Sequence, residues 1–80
     1  MITPESIKAS IEQGMAAIHV FVTGDGRHFE AVVVSDEFAG KNRVQRHQRV
    51  YQALGDKMRD EMVHALTMRT LTPQEWEGSR

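Results

Sequence analysis

The segment that most constrains the fold of this chain is a glycine-rich turn between two β-rich stretches. Residues 23–26 read TGDG and supply the positive-φ conformations that a tight hairpin requires. The flanking residues 17–22 and 29–34 are rich in side chains that favour strands. In the second stretch Phe29 and every second residue after it are apolar and share one face, whereas Glu30 lies on the other. The pattern predicts a β-hairpin with one face turned to a core.

Helical segments are indicated before and after this hairpin. Thr3 can cap free amides and Pro4 suits the first helical position, which predicts a helix over residues 4–13, before Gly14. Its apolar stripe is Ile7, Ile11 and Met15. Further along, apolar side chains recur at helical spacing at Val50, Tyr51, Leu54 and Met58. They predict one long helix, or two short ones with a bend near Gln48.

The last third of the chain predicts a strand followed by a helical turn. Residues 62–71 alternate, with His64, Leu66 and Met68 on one face. Thr72 and Glu75 then have the spacing of a capping box, with Pro73 at the first helical position. The element order is therefore α-β-β-α-(α)-β-(α). A crossover through a helix returns a strand parallel to its neighbour, so we expect an α+β fold with a three-stranded mixed sheet and helices packed on one face.

Length and charge restrict the classes of function. Eighty residues suffice for one small core, so we expect residues 1–80 to form a single domain. Only five residues are aromatic, which leaves little bulk for an enclosed substrate pocket, and no catalytic triad or carboxylate pair stands out. We therefore do not expect an enzyme. A formal net charge of -1 argues against a surface that is basic throughout and binds nucleic acid nonspecifically.

The chain has no cysteine. It can form neither a disulfide nor a thiolate-ligated metal site of its own, so any iron-sulfur cluster must take its cysteine sulfur from another molecule. The first residues lack a basic stretch followed by an apolar run, and no segment reaches the roughly 18 apolar residues of a membrane span. We expect a cytoplasmic location.

Residues 38–51 carry a family resemblance. They read FAGKNRVQRHQRVY, in which a phenylalanine, a glycine, a valine, an arginine-histidine pair and a valine-tyrosine pair have the spacing that resembles the signature of the BolA family. The glycine-aspartate-glycine turn, His64-Ala65-Leu66 and residues 72–76 are similar to the IbaG-type branch. The resemblance covers about residues 7–76 and implies a fold like the class II KH domain.

The resemblance also implies a function. Members of the family are implicated in iron-sulfur cluster trafficking with monothiol glutaredoxins, and some are described as nucleic-acid-binding regulators. It implies that this chain binds a monothiol glutaredoxin and shares a 2Fe-2S cluster with it, the partner bringing glutathione. The metal ligands implied are His64 and, in a loop that varies between branches, His28. A partner-binding module without metal is a further alternative.

The two histidines are chemically compatible with one metal. If the second and third strands run parallel, His28 and His64 lie at the same end of the sheet, on strands about 4.8 Å apart. Neutral imidazole is a competent iron ligand, as Rieske centres show. The residues alone, however, form no metal motif. His64 lies on the same face of the predicted strand as Leu66 and Met68, which favours a partly buried histidine whose imidazole bonds to a backbone carbonyl. The position of His28 in a hairpin favours a side chain that is merely exposed.

A basic run supports the alternative function, a nucleic-acid-binding transcriptional regulator. Its candidate residues are Lys41, Arg43, Arg46 and Arg49. The KH domain grips phosphates with a GxxG loop, but here residues 40–43 read GKNR and lack the second glycine. A solvated helix face is a more common explanation of such a charge run than a specific DNA site. His19 and His47 are not expected to bind metal.

Overall fold

The computed structural model describes residues 1–79. Four α-helices, three strands and one turn of 3-10 helix follow one another in the predicted order. Their bounds are α1 Pro4–Gly14, β1 His19–Gly24, β2 Phe29–Val34, the 3-10 helix Asp36–Phe38, α2 Arg43–Leu54, α3 Asp56–Met62, β3 Leu66–Leu71 and α4 Pro73–Gly78. The predicted α+β class and mixed three-stranded sheet are confirmed. None of these helices within residues 1–79 is long and apolar enough to cross a membrane.

The sheet has the strand order β1-β2-β3. β1 pairs antiparallel with β2, with Gly24 opposite Phe29 at the hairpin end. β2 pairs parallel with β3, with Phe29 opposite Leu66 and Val34 opposite Leu71. The hairpin is confirmed, although β1 begins and ends two residues later than predicted. The parallel pairing places the beginnings of β2 and β3 side by side.

The core lies between the sheet and helices α1 and α2. Ile7 and Ile11 of α1 and Val50 of α2 are completely buried, and they pack with the core face of β2, represented by Phe29 and Val33. Helix α1 begins where predicted, because the hydroxyl of Thr3 accepts a hydrogen bond from the amide of Ser6 over 3.1 Å and the Ser6 hydroxyl accepts from the amide of Thr3 over 2.9 Å.

The second helical segment is two helices, but the break is not where it was predicted. The chain bends at Gly55, whose φ of 86° is accessible to glycine at little cost, and not near Gln48. Gln48 lies within the continuous helix α2, which begins with a capping box between Asn42 and Gln45.

Strand β3 is shorter than the alternation suggested. Met62 ends helix α3 and has only 3% of its surface exposed, and the strand begins at Leu66. Residues 63–65 form a turn, so His64 belongs to no strand. Because the turn lies outside the sheet, strand parity does not determine whether its side chains are buried.

The capping box of Thr72 and Glu75 and the short terminal helix α4 are confirmed. Unlike α1 and α2, which pack on the core face of the sheet, helix α4 places its tryptophan on the opposite face. The Trp76 ring lies 5.8 Å from the rings of both His19 and Phe21, between centroids. These two residues alternate with buried Val20 along β1 and therefore lie on the sheet face opposite the core. α4 thus contributes to the outer face.

Candidate metal centre

Both predicted metal ligands lie at the same end of the sheet. His28 immediately precedes β2 and His64 lies in the turn before β3. The amide of Phe29 donates a hydrogen bond to the carbonyl oxygen of Ala65 over 2.8 Å, which joins the residues that follow the two histidines. Both imidazoles are exposed. The structure therefore brings His28 and His64 to one edge of the fold although 35 residues separate them in the sequence.

The hairpin that carries His28 is held by Asp25. The Asp25 carboxylate accepts hydrogen bonds from the amides of His28 and Arg27, over 2.8 and 2.9 Å. The Asp25 amide donates to the carbonyl oxygen of His28 over 3.2 Å. Because these amides stabilise the charged form, that of His28 most strongly, they lower the pKa of the Asp25 carboxyl. The backbone at His28 is thus fixed by the turn, while its side chain extends into solvent.

The turn that carries His64 is held at both sides. The amide of Ala65 donates to the carbonyl oxygen of Met62 over 3.1 Å, and the carbonyl of Ala65 accepts from Phe29. Met62 and Leu66 on either side are buried in the core. His64 itself is exposed, so the interpretation of a partly buried histidine satisfied by a backbone carbonyl is wrong. Its side chain is accessible to a metal or to a partner.

The donor set at this end is incomplete for a metal site. Within residues 1–79 no group of three or more histidine, aspartate or glutamate side chains is placed to hold a metal ion. Two imidazole nitrogens are borderline ligands suited to iron, zinc or copper. A four-coordinate centre at this edge would have to complete its ligands from another molecule. The chemistry of the pair therefore fits a shared site better than a site enclosed by this chain.

The other two histidines lie elsewhere. His19 begins β1 and its ring stacks on Phe21, with centroids 5.9 Å apart, at the sheet end opposite the hairpin. His47 lies on α2 and is partly buried. Burial lowers the pKa of His47, and the nearby positive charge of Arg43 lowers it further. Neither residue adjoins the pair formed by His28 and His64.

The predicted nucleic-acid-binding residues divide into two groups. Arg46 binds within the fold: its Nε donates to the carbonyl of Lys41 over 2.8 Å, and its Nη1 to the carbonyl of Thr70 over 3.2 Å and to Glu75 over 2.7 Å. Arg49 likewise donates to Glu37 over 2.9 Å and to the carbonyl of Gly14 over 3.2 Å. Lys41 and Arg43 form no ion pair within residues 1–79.

Two features were not found from the sequence. Arg69 of β3 lines the same surface cavity as Lys41, Arg43 and Arg46, and nothing in its neighbourhood along the chain indicates this. The second feature is the cluster of aromatic rings formed by His19, Phe21 and Trp76, which the sequence did not predict. Alternation along β1 could have placed His19 and Phe21 on one face, but not the return of Trp76 to that face.

The sequence profile described as BolA-like protein matches residues 1–75. The chain belongs to the BolA-like family. One relative is the acid stress protein IbaG of Escherichia coli K12, which is 34% identical over 92% of this chain and 88% of its own length. Another is BOLA2 of Arabidopsis thaliana, which is 38% identical over 96% of this chain and 86% of its own length. The DNA-binding transcriptional regulator BolA of E. coli K12 is 40% identical over 75% of this chain and 56% of its own length. The resemblance to the IbaG-like branch is consistent with these matches.

Solved structures of BolA-like proteins have the same fold. A BolA homologue from Coxiella burnetii is 44% identical, covers 96% of this chain and 99% of its own, and superposes with a TM-score of 0.79. The BolA domain of SufE1 from A. thaliana is 32% identical, covers 90% of this chain and 93% of its own, and superposes with a TM-score of 0.71. This BolA-like chain therefore shares its architecture with proteins from bacteria and plants.

Proposed function

We propose that this BolA-like chain is an adaptor that binds a monothiol glutaredoxin and supplies histidine nitrogen to a 2Fe-2S cluster that the two proteins share. His64 is the principal ligand in the proposal and His28 the second. The observation that carries it is the placement of both exposed imidazoles at the end of the sheet where the amide of Phe29 binds the carbonyl of Ala65. The chain then acts by binding a partner and not by catalysis.

The ligand requirement of the cluster supports the need for a partner. A 2Fe-2S cluster takes four ligands, and two histidines can replace two thiolates on one iron. This chain has no cysteine, so it offers only nitrogen. The glutaredoxin cysteine and the thiol of glutathione are the remaining ligands that the family resemblance implies. Cytoplasmic location and a stress-related role, by analogy with the name of IbaG, are part of the proposal.

Visible circular dichroism tests the ligand assignment. Mixing the chain with cluster-loaded glutaredoxin is expected to change the spectrum, because the cluster exchanges ligands. His64→Ala is expected to abolish this change and His28→Ala to reduce it. His19→Ala is the matched control, since it removes an exposed imidazole at the opposite end of the sheet. A change of spectrum that survives in His64→Ala would refute the assignment.

Titration calorimetry separates protein contact from metal contact. The adaptor proposal predicts tighter binding to cluster-loaded than to apo glutaredoxin, and the difference is expected to disappear when both His28 and His64 are replaced by alanine. If the double variant binds cluster-loaded glutaredoxin as tightly as the parent chain does, the chain is a partner-binding module in which the histidines have no metal role.

Regulation through DNA, the alternative function, stays a prediction. The E. coli and other relatives named DNA-binding regulators favour it. Two of its four candidate residues, Arg46 and Arg49, already bind carboxylates of this chain. DNA binding would weaken steeply with added salt and would depend on Lys41 and Arg43. The absence of binding to any duplex at low salt would remove this alternative.

A further inference from the structure

A surface cavity of about 400 Å³ lies between the beginning of helix α2 and the edge strand β3. Its lining combines basic side chains from two separate parts of the chain, Lys41, Arg43 and Arg46 on the helix side and Arg69 on the strand side. His47 and the rest of residues 68–71 complete it. The cavity adjoins the later part of β3, whereas His64 precedes the strand, so the two sites are distinct.

The positive charge in this cavity is only partly neutralised. Within residues 1–79 Lys41, Arg43 and Arg69 form no ion pair, and Arg46 pairs with Glu75. Arg43 also lowers the pKa of His47, although burial has the larger effect. Lys41 also helps to lower the pKa of Glu37, after the larger effects of the Ala16 amide and Arg49. The cations of the cavity still outnumber these carboxylates and repel each other, and a bound anion would relieve that repulsion.

The cavity walls are held in place by Arg46. Its guanidinium bonds to the carbonyl of Lys41 before the helix, to the carbonyl of Thr70 on the strand and to both carboxylate oxygens of Glu75, over 2.7 and 3.4 Å. One side chain thereby ties α2, β3 and α4 together. Because the walls are already fixed, a ligand that enters loses less free energy to ordering. The basic side chains that face the cavity are therefore carried by a rigid backbone frame.

The arrangement favours a compact anion over an extended one. The cations converge on one cavity, while Arg49, further along α2, turns away to Glu37. The net charge of -1 means that a long polyanion leaving the cavity would meet a surface that is acidic on balance. Arginine guanidinium groups match phosphate oxygens in pairs, and lysine adds a point charge.

We propose that this cavity binds a short polyphosphate group, either free pyrophosphate or the phosphate chain of a nucleoside triphosphate. Lys41, Arg43 and Arg69 contact the phosphate oxygens, and Arg46 fixes the frame around them. The proposal is independent of the function of His28 and His64, because none of these four residues lies at their end of the sheet.

Titration calorimetry at low ionic strength with pyrophosphate, ATP, adenosine and a single-stranded oligonucleotide tests the proposal. Pyrophosphate and ATP are expected to bind and adenosine is not. The variants Lys41→Ala/Arg43→Ala and Arg69→Ala are expected to weaken binding by about tenfold or more, the usual loss for hydrogen bonds to charged groups. Lys8→Ala/Lys57→Ala, which removes two exposed cations outside the cavity, is the control and is expected to bind normally. Far-ultraviolet circular dichroism checks that every variant is folded.

The outcomes distinguish free pyrophosphate from a nucleoside triphosphate as the source of the polyphosphate group. Binding of pyrophosphate and ATP alike identifies the phosphate chain as the recognised group, and tighter binding of ATP adds a nucleoside contact to it. If neither binds, if ATP binds without pyrophosphate, or if only the oligonucleotide binds, the proposal is overturned. An equal loss in the Lys8→Ala/Lys57→Ala control would also overturn it, because binding would then follow net charge and not the cavity.

Discussion

The amide of Phe29 donates a hydrogen bond to the carbonyl oxygen of Ala65 over 2.8 Å. This bond lies where the parallel strands β2 and β3 begin, and each of its residues directly follows a candidate metal ligand. It holds the β1–β2 hairpin against the turn after helix α3. The proximity of His28 and His64 is therefore a consequence of strand pairing, and it does not require the two exposed side chains to contact each other.

The turn around Asp25 is expected to support metal binding through His28. Asp25→Ala removes the acceptor for the amides of Arg27 and His28 and should loosen the hairpin, so the visible spectrum formed with cluster-loaded glutaredoxin should weaken. Asp25→Asn keeps a carbonyl oxygen that can accept the same bonds and should restore the spectrum. Equal spectra in the parent and Asp25→Ala would show that this turn does not position a ligand.

Gly14 is expected to be essential for the packing of α1 against α2. A Cβ atom at this position would lie 2.6 Å from the Cα of Ala53 and would also clash with its carbonyl oxygen. Gly14→Ala should lower the free energy of unfolding by about 1–3 kcal/mol, the usual cost of overpacking. Gly78→Ala is the matched control, because no atom lies within 4 Å of its added Cβ, and it should change stability by less than about 0.5 kcal/mol. Urea unfolding measures both, and equal effects would contradict the account.

Glu75 is expected to make stability depend on pH in acid. Arg46, and after it the amide of Thr72, lower the pKa of Glu75 to about 2 from 4.5. Because the folded pKa is the lower one, the stabilisation is complete above pH 4.5 and is lost as the pH falls from 4.5 to 2. Glu75→Gln should be less stable than the parent at pH 7, and the difference should vanish near pH 2.

Thermal unfolding between pH 7 and pH 2 measures this difference. Glu12→Gln, which neutralises an exposed carboxylate of α1, is the control and should follow the parent throughout. A gap between the parent and Glu75→Gln that stays constant down to pH 2 would show that the ion pair with Arg46 does not stabilise the charged carboxylate.

Trp76 is expected to report on the outer face of the sheet. It is the only tryptophan, and its ring lies against Phe21, which is 49% exposed. Phe21→Ala should shift the fluorescence of Trp76 to longer wavelength and cost about 0.5–1.5 kcal/mol, the usual range for an aromatic pair. Thr23→Ala, two residues further on the same face, should leave the emission unchanged. An unshifted emission in Phe21→Ala would argue against the contact.

The parts of the fold that depend on local chemistry could be predicted from the sequence. The capping residues Thr3 and Thr72 fix where helices begin through bonds to residues three positions away, and the turn at residues 23–26 fixes the hairpin. The beginning of β3 could not be predicted, because alternation of His64, Leu66 and Met68 continues through a turn that does not belong to the sheet.

The candidate site was predictable only where it follows from the order of the strands. A parallel crossover was enough to place His28 and His64 at one end of the sheet. The use of Arg46 and Arg49 within the fold could not be foreseen, since their carboxylate partners Glu75 and Glu37 lie 29 and 12 positions away in the sequence. Such ion pairs depend on tertiary structure, which a charge pattern along the chain does not contain.

The most direct test of the shared cluster is pulsed electron paramagnetic resonance of the reduced complex. Only the histidines of this chain are labelled with ¹⁵N, and the glutaredoxin and its cluster are unlabelled. We expect strong ¹⁵N hyperfine coupling to the cluster that is retained in His19→Ala, reduced in His64→Ala and lost when both His28 and His64 are replaced by alanine. A complex that contains the cluster but shows no ¹⁵N coupling would contradict the account, because histidine of this chain would then not bind its iron.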